Sequence, residues 1–127
     1  MGALMQLLDA NILIDYLRAY PDAIEFMASL NPQKTAISAV TLAEVLVGCD
    51  HQQQKQVLDF IDPFHFFEID KNIAISAANL RQQHHWKLPD SFQAAITLEH
   101  NLVFVTRNTK DFNPSVHKFV KIPYKLH

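Results

Sequence analysis

Two spacings of apolar residues alternate along the chain, and their alternation predicts strands separated by helices. Short apolar runs predict strands at residues 4–8, 35–37, 64–69, 102–105 and 119–122. Apolar residues three and four positions apart predict helices at 10–19, 40–49, 53–61, 71–84 and 90–100. Pro21 suits the first turn of a further helix, and Gly48 suits a helix end.

Strands that alternate with helices need crossover connections. They therefore predict an α/β fold with a mostly parallel central sheet of four to five strands, flanked by helices on both faces. The sequence contains no repeat or linker-like segment, so we expect a single domain over residues 1–127. In folds of this class ligands bind beyond the carboxyl ends of the strands.

Composition excludes several kinds of protein. The 127 residues, 49% of them hydrophobic, suffice for one core, and no apolar run is long enough to cross a bilayer. The N-terminal residues lack the basic region of a secretory signal, so we expect a soluble, cytoplasmic protein with no membrane partner. Cys49 is the single cysteine, which excludes an intrachain disulfide and a cysteine zinc cluster. Glycine occurs only at positions 2 and 48, which excludes a glycine-rich phosphate loop.

The charge distribution tells more than its sum. A net charge of −2 argues against a general nucleic-acid binder. Against a single acid, Asp111, the C-terminal segment carries five cations: Arg107, Lys110, Lys118, Lys121 and Lys125. Such a segment suits a polyanionic substrate drawn toward an acidic site. A solvated surface tail explains it equally well, and both interpretations stay open.

Four acids lie where strands are expected to pass into helices: Asp9, Glu44, Asp90 and Asp111. Each has a structural explanation of its own. Asp9 could be an N-cap. Glu44 could form a capping box with Thr41, Asp90 a similar one with Gln93, and Asp111 could shape a turn.

Taken together, the four acids favour a metal site. Two like charges about 5 Å apart repel by about 3 kcal/mol at an effective dielectric constant of 20. Several acids at one sheet edge therefore require a cation, and carboxylate oxygens suit Mg²⁺ or Mn²⁺. Helix N-termini at the same edge would favour phosphate.

Each acid also lies in a segment of characteristic sequence. In chain order the segments are LDANILI, SAVTLAEVLVG, LPDSFQAAI and LVFVTRNTKDF. With one acid in each, they resemble the PIN-domain ribonucleases, and among these the VapC-like toxins of type II toxin–antitoxin pairs. The resemblance covers essentially the whole chain and implies a PIN-like three-layer fold.

The resemblance also implies a function. It implies an endoribonuclease that hydrolyses RNA phosphodiester bonds with Mg²⁺ or Mn²⁺, an antitoxin protein as partner, and a homodimer. Asp9 and Asp90 would be the main metal ligands, and Glu44 and Asp111 would act directly or through water. The sequence departs from the family pattern at Ala10, where Thr or Ser is common, and at Ser91 and Gln93, where small or apolar residues are common.

Further residues have candidate roles near such a site or in packing. Thr106 and Arg107 are predicted phosphate contacts, although a surface ion pair explains Arg107 equally well. His84 and His85 point about 100° apart on a helix and chelate poorly together. Packing is favoured over base stacking for Trp86.

Two other function classes compete with the nuclease. A haloacid-dehalogenase-type phosphatase would need a second aspartate two residues after the first, where this chain has Asn11. A catalytically inactive PIN-fold module that binds RNA or protein is the stronger alternative. The complete set of four acids counts against it.

Overall fold

Five strands alternate with six α-helices over residues 4–126, the part of the chain that the computed structural model describes. In chain order they are β1 Gln6–Leu8, α1 Ala10–Leu17, α2 Pro21–Ala28, β2 Thr35–Ser38, α3 Ala39–Val47, α4 His51–Ile61, β3 His65–Phe67, α5 Lys71–His84, α6 Leu88–Glu99, β4 Val103–Val105 and β5 Val120–Lys121. The predicted elements are all present, and none of the predicted bounds differs by more than two residues.

The strands form one sheet in the order β3-β2-β1-β4-β5, and every pairing in it is parallel. This confirms the predicted parallel sheet. The chain starts at the centre, adds two strands on one side, and then crosses β1 to add two on the other. The carboxyl ends of β1 and β4 therefore meet where the direction of strand addition reverses, which is the usual ligand position in such sheets.

Successive strand residues point to opposite faces of the sheet and build two separate apolar cores. One core combines the strand residues Leu7, Ala36 and Phe104 with α5 and α6. The other combines Leu8, Ile37 and Val105 with α1 to α4. The predicted layers of helix, sheet and helix are thus confirmed, and the sheet is held rigidly from both sides.

The helices that follow β1 and β2 begin immediately at the sheet edge. Asp9 caps α1, since its Oδ1 accepts the Ala10 N–H at 2.8 Å. Ser38 caps α3, since its Oγ accepts the Thr41 N–H at 3.2 Å. The N-cap interpretation of Asp9 is therefore confirmed.

Two capping interpretations are wrong. The N-cap of α3 is Ser38, which leaves Glu44 in the helix interior and no capping box with Thr41. The N-cap of α6 is Lys87, so Asp90 lies in the first turn of the helix and is not its cap. Neither carboxylate is therefore an N-cap or part of a capping box.

Trp86 packs, as the sequence analysis favoured. It is 5% exposed, its indole N–H donates to the Asp111 carbonyl at 3.0 Å, and its ring contacts Phe112. His84 stacks on the indole with ring centroids 4.2 Å apart, whereas His85 ends α5 in the left-handed conformation at φ 61°. The two histidines thus do not act as a pair. Across residues 4–126, no helix combines the length and apolar character that a membrane crossing requires.

Candidate active site

Asp9 is the most firmly held of the four acids. It directly follows β1 at the carboxyl edge of the sheet and is only 7% exposed. Its Oδ1 accepts the Ala10 N–H, while its Oδ2 accepts the Thr106 hydroxyl at 2.7 Å and the Asn11 amide at 3.3 Å. The carboxylate is therefore fixed in one orientation before any ligand arrives.

Burial raises the pKa of Asp9 above its ordinary value. Hydrogen bonds from Thr106, Ala10 and Gln93, together with the positive charge of Arg107, lower the pKa by less. The protein's own hydrogen bonds and charges thus do not fully offset the cost of burying the negative charge of Asp9, and a bound cation would stabilise that charge.

Thr106 connects the ends of the two central strands. Besides donating to Asp9, its hydroxyl accepts the Asn11 amide at 3.2 Å and the Asn108 N–H at 3.1 Å. The residue is fully buried. These bonds join the start of α1 to the loop after β4 and fix their separation.

Asp111 lies in that loop, half-buried. Asn108 donates its amide to the Asp111 Oδ2 at 3.0 Å, and the Asp111 N–H donates to the Asn108 Oδ1 at 3.2 Å. The carbonyl of Asp111 accepts the Trp86 indole N–H. Asp111 therefore shapes the turn, as predicted for it from the sequence, and its bond to Trp86 also ties the loop to the face of the sheet that α6 covers.

Asp90 lies close enough to the other three acids to interact with their charges. Its pKa is raised from an ordinary value of 3.8 to about 6, first by burial and then by the negative charges of Asp9, Asp111 and Glu44, while Lys87 lowers it by less. The carboxyl of Glu44 also has a raised pKa, through partial burial first and the charge of Asp9 second. Charge interactions fall with distance, so the structure gathers all four predicted acids at one edge.

The four acids have no basic partner among the described residues. The one ion pair in residues 4–126 joins Arg107 to Asp15, and no lysine, arginine or histidine nitrogen lies within 4.0 Å of the four carboxylates. Within the same residues, no three histidine, cysteine, aspartate or glutamate side chains are close enough to hold one metal ion as they stand. The acids therefore repel one another without yet converging on one point.

Arg107 and Asp15 form a pair that sequence reasoning missed. The Arg107 Nε and Nη2 donate to the two oxygens of Asp15 at 2.5 and 2.9 Å, and the Tyr124 hydroxyl donates to Asp15 at 2.9 Å. Asp15 is 1% exposed. An acid within the apolar stretch of α1 was the available signal, because buried acids require partners.

Both predicted phosphate contacts thus have protein partners. The Arg107 guanidinium is paired with Asp15, and the Thr106 hydroxyl is held beneath Asp9. The sequence allowed either a phosphate contact or a surface ion pair for Arg107. The structure shows an ion pair, in which Asp15 is buried and Arg107 is partly exposed. Donation by the Thr106 hydroxyl to a phosphate would break its bond to Asp9, whereas the partly exposed Arg107 could contact a phosphate through guanidinium N–H groups that Asp15 does not use.

An apolar groove of about 360 Å³ borders the acids. It lies between α3 and the start of α6, and its lining residues are Ala39, Val40, Ala43, Glu44, Ile69, Leu88, Pro89 and Phe92. Glu44 belongs to both the groove and the acidic group, and Asp90 directly follows Pro89. A ligand in the groove would therefore reach the carboxylates.

A second groove, of about 780 Å³, is lined in part by residues of the loop that carries Asp111. It is lined by Arg107, Thr109, Asn113, Pro114, Ile122, Tyr124, Lys125 and Leu126. Part of the basic C-terminal segment thus reaches the neighbourhood of the acidic edge.

Known proteins resemble the chain in sequence and structure. A model of the PIN domain family matches residues 7–113. One chain of a toxin–antitoxin complex from Klebsiella pneumoniae is 36% identical, with a TM-score of 0.84, and the alignment covers 95% of this chain and 99% of that one. The comparison with curated proteins found no match.

More distant structures share the fold alone. FitAcB from Neisseria gonorrhoeae is 24% identical, with a TM-score of 0.77 over 96% of this chain and 100% of that one. VapC20 from Mycobacterium tuberculosis, described as a sarcin-ricin loop cleaving toxin, is 14% identical, with a TM-score of 0.66 over 76% of this chain and 84% of that one.

Proposed function

Because the chain belongs to the PIN domain family, we propose that it is a metal-dependent endoribonuclease and the toxin of a type II toxin–antitoxin pair. The observation that carries the proposal is the family match over residues 7–113, together with the position of Asp9 at the end of β1 and of Asp90 in the first turn of α6. The negative charges of Asp9, Asp111 and Glu44 contribute to the raised pKa of Asp90. A protein that gathers four carboxylates without a basic partner among residues 4–126 is suited to bind a cation from solution.

The carboxylate donors fit Mg²⁺ or Mn²⁺, which prefer oxygen ligands. We propose that Asp9 and Asp90 are the main ligands and that Glu44 and Asp111 act directly or through water. When bound, such an ion lowers the pKa of a water and offsets the charge that develops on phosphate. Exposed Glu44 and half-buried Asp90 are the side chains able to turn toward Asp9, which is fixed by its hydrogen bonds.

RNA is the proposed substrate. The groove that contains Lys125 and Thr109 supports this assignment, since it offers donors to a phosphate backbone beside the Asp111 loop. VapC20, which cleaves the sarcin-ricin loop, shares the fold.

The nuclease proposal is tested by cleavage of mixed RNA with Mn²⁺, Mg²⁺ or EDTA. We expect the wild-type protein to cleave RNA only when Mn²⁺ or Mg²⁺ is present. Asp90→Asn should lower the cleavage rate about 100-fold or more, because removing even a residue that hydrogen-bonds to a metal ligand lowers activity or metal affinity about 10–100-fold. The exposed Asp59 on α4 supplies a matched control, and Asp59→Asn should cleave like the wild type.

Cleavage that survives Asp90→Asn would refute the role assigned to Asp90. Cleavage in EDTA would refute the metal requirement. Retained RNA binding without any cleavage would instead support the inactive PIN-fold module.

We propose an antitoxin protein as the partner. The apolar groove beside Glu44 fits an apolar segment of such a protein, and a lysine or arginine following that segment would reach the acids. The 36% identical chain comes from a toxin–antitoxin complex. Copurification with the product of a neighbouring gene tests the pairing, and Ala43→Glu, which puts a charge in the groove, should abolish it. A homodimer, a single domain and a cytoplasmic location complete the proposal.

A further inference from the structure

Beneath the acids lies a closed network of polar side chains formed by Ser38, Thr41 and Gln93. Ser38 Oγ donates to Gln93 Oε1 at 2.6 Å, and Gln93 Nε2 donates to Thr41 Oγ1 at 2.6 Å. Thr41 Oγ1 in turn donates to the Leu8 carbonyl at 3.0 Å, and Ser38 Oγ accepts the Thr41 N–H. All three residues are fully buried.

The donors and acceptors match throughout this network. Each hydroxyl donates once and accepts once, and the Gln93 amide uses both its oxygen and its nitrogen. A flipped amide would present its oxygen to the Thr41 hydroxyl, which would then donate to Gln93 and leave the Leu8 carbonyl without that donor. A satisfied buried network of this kind holds its members in one arrangement.

Each member of the network is a short step from one acid. Leu8, whose carbonyl is the last acceptor, directly precedes Asp9. Thr41 lies three residues before Glu44 on α3. Gln93 lies three residues after Asp90 on α6. The network thus joins three separate elements at the level directly below their carboxylates.

We infer that Gln93 is a positioning residue that sets the spacing of Asp9, Glu44 and Asp90 and so the affinity of the site for a divalent cation. Gln93 is the one side chain in the network that crosses from α6 to α3 and the end of β2. Without its amide, the hydroxyls of Ser38 and Thr41 lose a buried partner. The helices can then shift to satisfy them, and the three acids shift too.

The inference rests on the proposed function, because it assumes that the acids bind a metal.

The test is Gln93→Met, which keeps the length of the side chain and removes the amide. Full-length protein is titrated with Mn²⁺ by isothermal calorimetry, after circular dichroism has confirmed that the variant is folded. We expect Mn²⁺ affinity to fall about tenfold. Thr41→Val breaks the same network at another point and should weaken Mn²⁺ binding in the same direction, which decides the matter if Gln93→Met does not fold.

Thr97→Val is the matched control. Thr97 is a fully buried polar residue on the same helix, but its hydroxyl bonds within α6, to the Gln93 carbonyl at 2.8 Å. We expect its Mn²⁺ affinity to stay within about twofold of the wild type. A role in stability alone would leave affinity unchanged in all the folded variants.

The outcomes separate the two proposals. Wild-type affinity in folded Gln93→Met or Thr41→Val overturns the positioning role and leaves the nuclease proposal standing, as does an equal loss in Thr97→Val. A wild-type protein that binds no Mn²⁺ overturns both.

Discussion

Replacing Asp90 by asparagine removes one charge from the acidic edge and leaves the side chain nearly the same size. A pKa raised from 3.8 to about 6 corresponds to about 3 kcal/mol of disfavoured ionisation, at 1.36 kcal/mol per pKa unit. Asp90 is half-exposed, and solvent screening reduces this figure. We therefore expect metal-free Asp90→Asn to be about 1–2 kcal/mol more stable than the wild type at pH 7.

The sign follows from proton linkage. The pKa of Asp90 is higher in the folded state than in the unfolded one, because burial and the neighbouring acids disfavour its charge. Below about pH 4 the group is protonated in both states, and its full contribution to stability is present. As the pH rises through about 6 the wild type loses that contribution, whereas Asp90→Asn has nothing to lose there.

Urea unfolding in EDTA, followed by circular dichroism from pH 4 to pH 8, measures the difference between the two proteins. We expect the advantage of Asp90→Asn to be small at pH 4, to grow up to about pH 6.5 and then to stay constant. Asp59→Asn, on the exposed side of α4, should change stability little. Saturating Mn²⁺ should reverse the order, because a ligand stabilises the folded state that binds it more tightly.

A variant less stable than the wild type at pH 7 without metal would refute this reasoning. It would show that Asp90 stabilises the first turn of α6 by more than the neighbouring acids disfavour it. A stability difference independent of pH would refute the crowding of the four charges.

Two further predictions concern the partners of Arg107 and Asp9. Arg107→Met should destabilise the protein by about 3–5 kcal/mol in urea unfolding, because it leaves the 1% exposed Asp15 without its cation. Asp15→Asn leaves only a partly exposed arginine without its partner and should cost less. Equal losses in the two variants would contradict a pair in which only the aspartate is buried. Thr106→Val removes the hydroxyl that donates to Asp9 and should weaken Mn²⁺ binding in calorimetry by about 10–100-fold; unchanged binding would show that Asp9 needs no such support.

Most of the fold could be predicted from the sequence. Apolar spacing located the strands and helices, because the inner strands β1, β2 and β4 are covered by helices on both faces and the helices pack an apolar side against the sheet. The resemblance of four segments to the PIN-domain ribonucleases was confirmed by the family match. The capping interpretations of Glu44 and Asp90 were wrong, since several residues near each helix start could serve as caps and the folded backbone places Ser38 and Lys87 there.

The acids themselves could be found in the sequence, but not what holds them. Parallel strands present their carboxyl ends at one edge, so the positions of the four acids after strands or on the helices that follow implied that they meet. The bonds of Thr106 to Asp9 and of Arg107 to Asp15 span more than 90 residues of chain. No local pattern encodes such a pairing.

Local spacing thus determined which elements form and which acids the chain brings to the sheet edge, because helix and strand periodicities are properties of neighbouring residues. Tertiary structure decided the rest. It buried Gln93 between Ser38 and Thr41, paired Arg107 with Asp15, and brought the acids near enough to raise one another's pKa. Desolvation and long-range hydrogen bonds depend on which distant segments pack together, and that is a property of the folded chain.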